Sequence, residues 1–105
     1  MPSEKHQAKI QEIKETFEKN NWNCETEVPV IRNGKTLIDS ETGRIDLCCQ
    51  KARELRCFEV EKTGEQVVKN ARDLRRMEIE AKQKGIKNYK GCQLTTGENF
   101  KEVCK

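Results

Sequence analysis

The sequence predicts a single α/β domain, and three observations carry that expectation. Apolar residues recur at helical spacing near the start and again past the middle, and three runs between them follow the two-residue period of strands. The chain of 105 residues, 33% of them hydrophobic, has material for only one thin core, so residues 1–105 are expected to form one unit.

From Ser3, a good N-cap residue, His6, Ile10, Ile13 and Phe17 fall on one helical stripe that stops at Asn20-Asn21. Residues 23–31 alternate, with Cys24, Thr26, Val28 and Val30 on one side and Glu25 and Glu27 on the other. Pro29 assigns that strand to an edge or an end, and Asn33-Gly34 is a turn signal. Residues 44–50 (RIDLCCQ) and 55–62 (LRCFEVEK) are short β-prone runs joined through Lys51, Ala52, Arg53 and Glu54, which predicts an antiparallel hairpin. After Thr63-Gly64, residues 65–84 form the longest predicted element. It is a helix with Val67, Val68, Ala71, Leu74 and Ala81 near one face and Gly85 where a C-terminal cap belongs. The tail predicts a strand over 89–94 and a short helical end over 98–104, giving the order α-β-β-β-α-β and a closing helical turn.

Charged residues make up 37% of the chain, against roughly 25% in ordinary globular proteins, a balance similar to the Lys/Glu-rich surfaces of proteins that work at high temperature. No segment approaches the roughly 20 apolar residues of a membrane span, and the start, MPSEKHQAKIQEIKETF, lacks the apolar block of a secretory signal. The expectation is a cytoplasmic protein with no membrane partner. Six cysteines fit either a disulfide scaffold or buried thiols, while one His and no CxxC pair give a structural zinc site little support.

Chemistry concentrates on the predicted hairpin. Cys57, Glu59 and Glu61 share one face of a strand, with the two carboxylates roughly 7 Å apart, while Phe58 and Val60 face the other way. On the preceding strand Asp46 and Cys48 share a face opposite Ile45, Leu47 and Cys49. A symmetric turn through Lys51 to Glu54 opposes Asp46 to Glu59 and Cys48 to Cys57 on one face, the second pair close enough for a cross-strand disulfide. Acids crowded together repel, which a divalent cation or solvent relieves. Alternating Glu on one strand more often lines a wet sheet face, but the placement of Asp46 favours a cation. A hard ion such as Mg²⁺ or Mn²⁺ takes oxygen ligands and suits phosphodiester hydrolysis.

With these residues in place the sequence resembles the restriction-endonuclease-like superfamily, the PD-(D/E)xK nucleases. The resemblance implies a mixed central sheet flanked by helices, an acid on the second strand, an acid and a lysine on the third, and a glutamine or lysine on the next helix. GRIDL offers Asp46, FEVEKTG offers Glu59 and Glu61, and EQVVKN offers Gln66 and Lys69. Small archaeal members found with viruses and plasmids carry a glutamate-apolar-glutamate-TG segment, a His early in the first helix and a Glu on the first strand, matched by His6 and Glu27, with Glu25 the alternative. In place of the family's lysine stands Glu61, as ligand or water-orienting base. Lys62 points to the opposite face unless the strand ends, and Lys69 is the other cation available. His6 is equally readable as a histidine at the core edge.

Between Lys69 and Lys90 eight basic residues stand against three acids, including Arg72, Arg75, Arg76, Lys82 and Lys84. Beside an acidic metal face they fit a phosphate backbone, although a helix face laced with ion pairs is the commoner meaning of such a run. Scattered aromatics favour duplex DNA over stacked single strands. The resulting expectation is a metal-dependent DNA endonuclease, a homodimer if it cuts both strands. The alternatives are an inactive DNA-binding or regulatory module and a Holliday-junction resolvase.

Overall fold

Helix α1 (Glu4–Lys19) ends because Asn21 takes the left-handed conformation, φ 67°. The N–H groups of Asn21 and Trp22 turn back to the carbonyls of Glu18 and Phe17, closing a Schellman cap. The remaining elements are β1 (Asn23–Pro29), β2 (Ile31–Arg32), β3 (Lys35–Thr36), β4 (Arg44–Lys51), β5 (Glu54–Glu61), α2 (Val67–Gln83), β6 (Asn88–Thr95) and β7 (Lys101–Cys104). The computed structural model describes residues 4–32, 35–36, 44–61, 67–96 and 101–105. Ser3, the Asn33-Gly34 signal, Lys62, Thr63-Gly64, Glu65 and Gln66 lie outside the described residues.

The five-stranded sheet has the order β1-β4-β5-β6-β7, and β2 and β3 form a separate two-stranded ribbon. Among the described residues only β5 and β6 run parallel, with α2 in their crossover, so the sheet is mixed and the α/β class expected from the sequence holds. The β4–β5 hairpin turns through Ala52 and Arg53 alone, because Lys51 and Glu54 are already paired, and Ala52 adopts φ 53°. Helix α2 stops at Gly85, φ 96°, with the Ile86 N–H reaching the Ala81 carbonyl.

The predicted helical end over 98–104 is corrected. Residues 101–104 are strand β7, antiparallel to β6, with Cys104 opposite Cys92. The local sequence KEVC also alternates, and pairing with β6 plus a disulfide decides for the strand.

Two clusters cover the two faces of the sheet. Ile10, Leu47, Phe58, Val60 and Leu94 pack with Ile13, Phe17 and Trp22 from the side of α1. Val30, Ile45, Leu55 and Cys57 pack with Leu74, Met77 and Ala81 of α2. Strict alternation fails at one row. Cys24 and Leu47 belong to the first cluster but Val28 and Ile45 to the second, although each pair is separated by an even number of residues. The β1–β4 pairing skips Glu27 and Asp46, and Glu27 sits at φ 53°. The local twist this creates moves Ile45 away from the face of Leu47 and Cys49 on which the sequence pattern put it.

Three disulfides each join directly opposed strand residues: Cys24–Cys49, Cys48–Cys57 and Cys92–Cys104. Because Cys48 and Cys49 are adjacent, β4 is tied to β5 and to β1 on opposite faces.

Candidate functional site

The β4–β5 register is the expected one, with Cys48 opposite Cys57, but its last pair is Leu47 and Phe58. Beyond it the strands part, and two side chains replace the missing backbone partners. The Asp46 N–H donates to Glu59 Oε1 at 2.9 Å, and the Val60 N–H donates to Asp46 Oδ2 at 2.8 Å. The two acids thus cross a fork between the strands, each satisfying a backbone donor of the other strand. These bonds engage one oxygen of each carboxyl group.

Both helices reach this fork. From α1, His6 Nε2 donates to Asp46 Oδ2 at 3.1 Å, so Asp46 faces the fork and the α1 layer rather than simply sharing the face of Cys48 as expected. His6 is therefore a site neighbour on the helical stripe and not only a core-edge residue. From α2, Asp73, Asn70 and Lys69 approach the carboxyls. Asp73 is fully buried and acts electrostatically on Glu59, as does Lys69, and Asn70 Nδ2 donates to Glu61 Oε1 at 3.5 Å. On the far side of Glu59, Gln93 is its partner in the parallel β5–β6 ladder.

Burial dominates the electrostatics of Glu59, whose carboxyl is pushed up to about 8. The negative neighbours Asp46 and Asp73 add to the shift, against the Asp46 N–H and the Lys69 ammonium, which lower it. At neutral pH the group holds a proton unless a cation replaces it.

Glu27 lies across from Asp46 on edge strand β1 but is exposed, and Glu25 is exposed as well. Lys62 and Gln66 lie outside the described residues. Asp73 and Asn70 were missed by the sequence reading, which counted Asp73 among the charges of a solvated helix. Their signal was positional: Asn70, Asp73, Leu74, Met77 and Ala81 recur on one face of α2, and its first half is polar.

Among the described residues, the metal-capable side chains drawn within 4.8 Å of one another as a group of three are Cys92, Glu102 and Cys104, not the acids of the fork. The basic helix carries its own neutralisation: Arg75 and Lys82 pair with Glu78, and Lys84 with Glu80. The hydrogen bond from Arg75 holds Glu78 below the usual carboxylate range despite some desolvation. Lys69, Arg72 and Arg76 follow at three- and four-residue steps along one flank of α2, starting at the fork. Among the described residues no helix is long and apolar enough to cross a membrane. No protein-family model matches this chain, and no curated protein is significantly similar to it.

Proposed function

We propose that the chain is a metal-dependent DNA endonuclease whose divalent cation, Mg²⁺ or Mn²⁺, is held at the fork by Asp46 and Glu59. The reading rests on one observation: three carboxyl groups, Asp46, Glu59 and the fully buried Asp73, are gathered where the β4–β5 ladder opens, and Glu59 is raised to about 8, chiefly by its burial and further by the charges of Asp46 and Asp73. An all-oxygen donor set, with Glu59 and Asp73 buried and Asp46 half-buried, fits a hard cation, which would take the place of the proton on Glu59. When bound, such an ion supplies Lewis-acid polarisation of a phosphodiester and of a water.

The residues of the chain divide the remaining work. The oxygens of Asp46 and Glu59 not engaged by backbone N–H groups would hold the ion, and His6 fixes the orientation of the Asp46 carboxyl. Glu61, held by Asn70, orients the attacking water. Lys69 stands in for the family's lysine, and Arg72 and Arg76 extend its charge to hold the backbone of duplex DNA. Cutting both strands requires two such sites, hence a homodimer. Holliday-junction resolution is the same chemistry on a branched substrate.

Two observations favour the inactive DNA-binding module instead: the fork carboxyls already serve backbone donors, and an acid, Glu61, occupies the lysine position of the motif. Plasmid nicking with Mn²⁺ separates the two. Wild type is expected to nick, and Asp46→Asn and Glu59→Gln to lose about a hundredfold or more. Equal nicking by all three refutes the assignment. Calorimetry showing no Mn²⁺ uptake at millimolar concentration turns the reading to the module.

A further inference from the structure

The three disulfides are not equivalent. Cys24, Cys49, Cys48 and Cys57 are all buried, whereas the Cys92–Cys104 bridge has one exposed end, because α1 does not extend over edge strand β7. A thiol reductant therefore reaches Cys104 first, since access governs thiol-disulfide exchange.

Opening this bridge leaves a donor set of a kind found nowhere else among the described residues. Glu102 and Cys104 are alternate residues of β7 and share a face, and Cys92 is directly opposite Cys104 on β6. Their ligand atoms lie within 4.8 Å of one another, with Glu102 Oε1 3.8 Å from Cys104 Sγ. The strand pairing that aligns them carries backbone hydrogen bonds besides the sulfur bridge. Gly91 and Lys105 exchange two backbone hydrogen bonds of 3.0 Å beyond the cysteines, and the pairing continues through Thr95 and Lys101 on the other side.

We infer that Cys92, Cys104 and Glu102 form a reduction-dependent site for a thiophilic divalent cation such as Zn²⁺. Two electrons from a dithiol reductant cleave the S–S bond, giving two thiols and the oxidised cyclic disulfide of the reductant. Metal binding then releases the two thiol protons. Two thiolates, one carboxylate oxygen and a water complete a tetrahedral set, which selects Zn²⁺ over the hard ions suited to the fork. The oxidised bridge and the metal are mutually exclusive states of the same edge, and the site is independent of the nuclease reading.

Cobalt(II) titrated into the 105-residue chain tests this, because thiolate ligation produces a sulfur-to-cobalt charge-transfer band that carboxylates cannot give. The expected result is one such site per chain after reduction and none in the oxidised protein, retained in Cys48→Ser/Cys57→Ser and lost in Cys92→Ser/Cys104→Ser. Glu102→Gln is expected to weaken affinity while keeping the band. Absence of the band in reduced wild type, or its survival in Cys92→Ser/Cys104→Ser, overturns the inference. Alkylation of reduced wild type provides a second measurement that needs no variant to fold: Zn²⁺ should protect Cys92 and Cys104, and equal labelling with and without Zn²⁺ also overturns it.

Discussion

The two faces of the sheet use their helices differently. Beyond the His6–Asp46 hydrogen bond near its start, the contact against α1 is apolar and aromatic: Phe17 meets Trp22 and Phe58 edge to face, at centroid distances of 5.1 and 5.4 Å, and Arg56 lies over the Trp22 ring. Against α2 the helix is apolar only from Leu74 onward, through Leu74, Met77 and Ala81, while the turns before it bury Asn70 and Asp73 opposite Glu59. One face contributes cohesion, and the other gives up cohesion to assemble charge. A small sheet thus tolerates a cluster of buried acids because the opposite face and two buried disulfides hold the same strands.

The sharpest way to break this contrast is to weaken the apolar face. Phe58→Ala should cost roughly 3–5 kcal/mol in denaturant unfolding, as expected for an aromatic removed from a packed core. A loss under about 1 kcal/mol would mean that the α1 face is not the cohesive one.

Proton linkage tests the charged face next. Glu59 titrates near 8 in the fold and near 4.5 when unfolded, so its contribution is fully present below about 4.5 and is lost as pH rises toward 8. Metal-free protein should lose up to a few kcal/mol between pH 5 and 9 from this group, and Glu59→Gln should flatten that slope. An unchanged slope in the variant would remove Glu59 as the titrating group.

Asp73→Asn should lower the Glu59 pKa and raise the stability of the metal-free chain at pH 9 by about 1 kcal/mol, since one of two facing buried charges is neutralised. The same variant should bind Mn²⁺ less well, which calorimetry would read directly. The smallest effect is expected away from both faces: Ala52→Gly relieves a left-handed alanine in the hairpin turn and should add about 1 kcal/mol to thermal stability.

Much of the fold was legible because its signals are local. Asn21 and Gly85 end helices by adopting positive φ, and the symmetric turn between β4 and β5 put Cys48 opposite Cys57 as the sequence spacing required. The fork was only half legible. Spacing brought Asp46 to Glu59, but it did not show that the ladder stops there, nor that Asp46 turns to His6. Spacing also misassigned the tail, where ENFKEVC satisfies both a helical and an alternating pattern until β6 is available to pair with it.

Localisation stands apart from these tests. Three disulfides fit a non-reducing compartment or the cytoplasm of a hyperthermophile, and only the second agrees with the cytoplasmic expectation.

By itself, then, the order of residues determined the class of fold, the hairpin register, the C-terminal ends of the two helices and the opposition of two acids. Those features depend on interactions within a turn, a pleat or one hairpin, distances over which side-chain chemistry acts directly on the backbone. Only tertiary structure decided that Asp73 is buried, that Ile45 changes sides, that β7 is a strand and which cysteines meet across β1–β4 and β6–β7. A residue's burial and its partners come from elements far away in the chain, and the same aspartate on the outer side of α2 would have been an ordinary solvated charge.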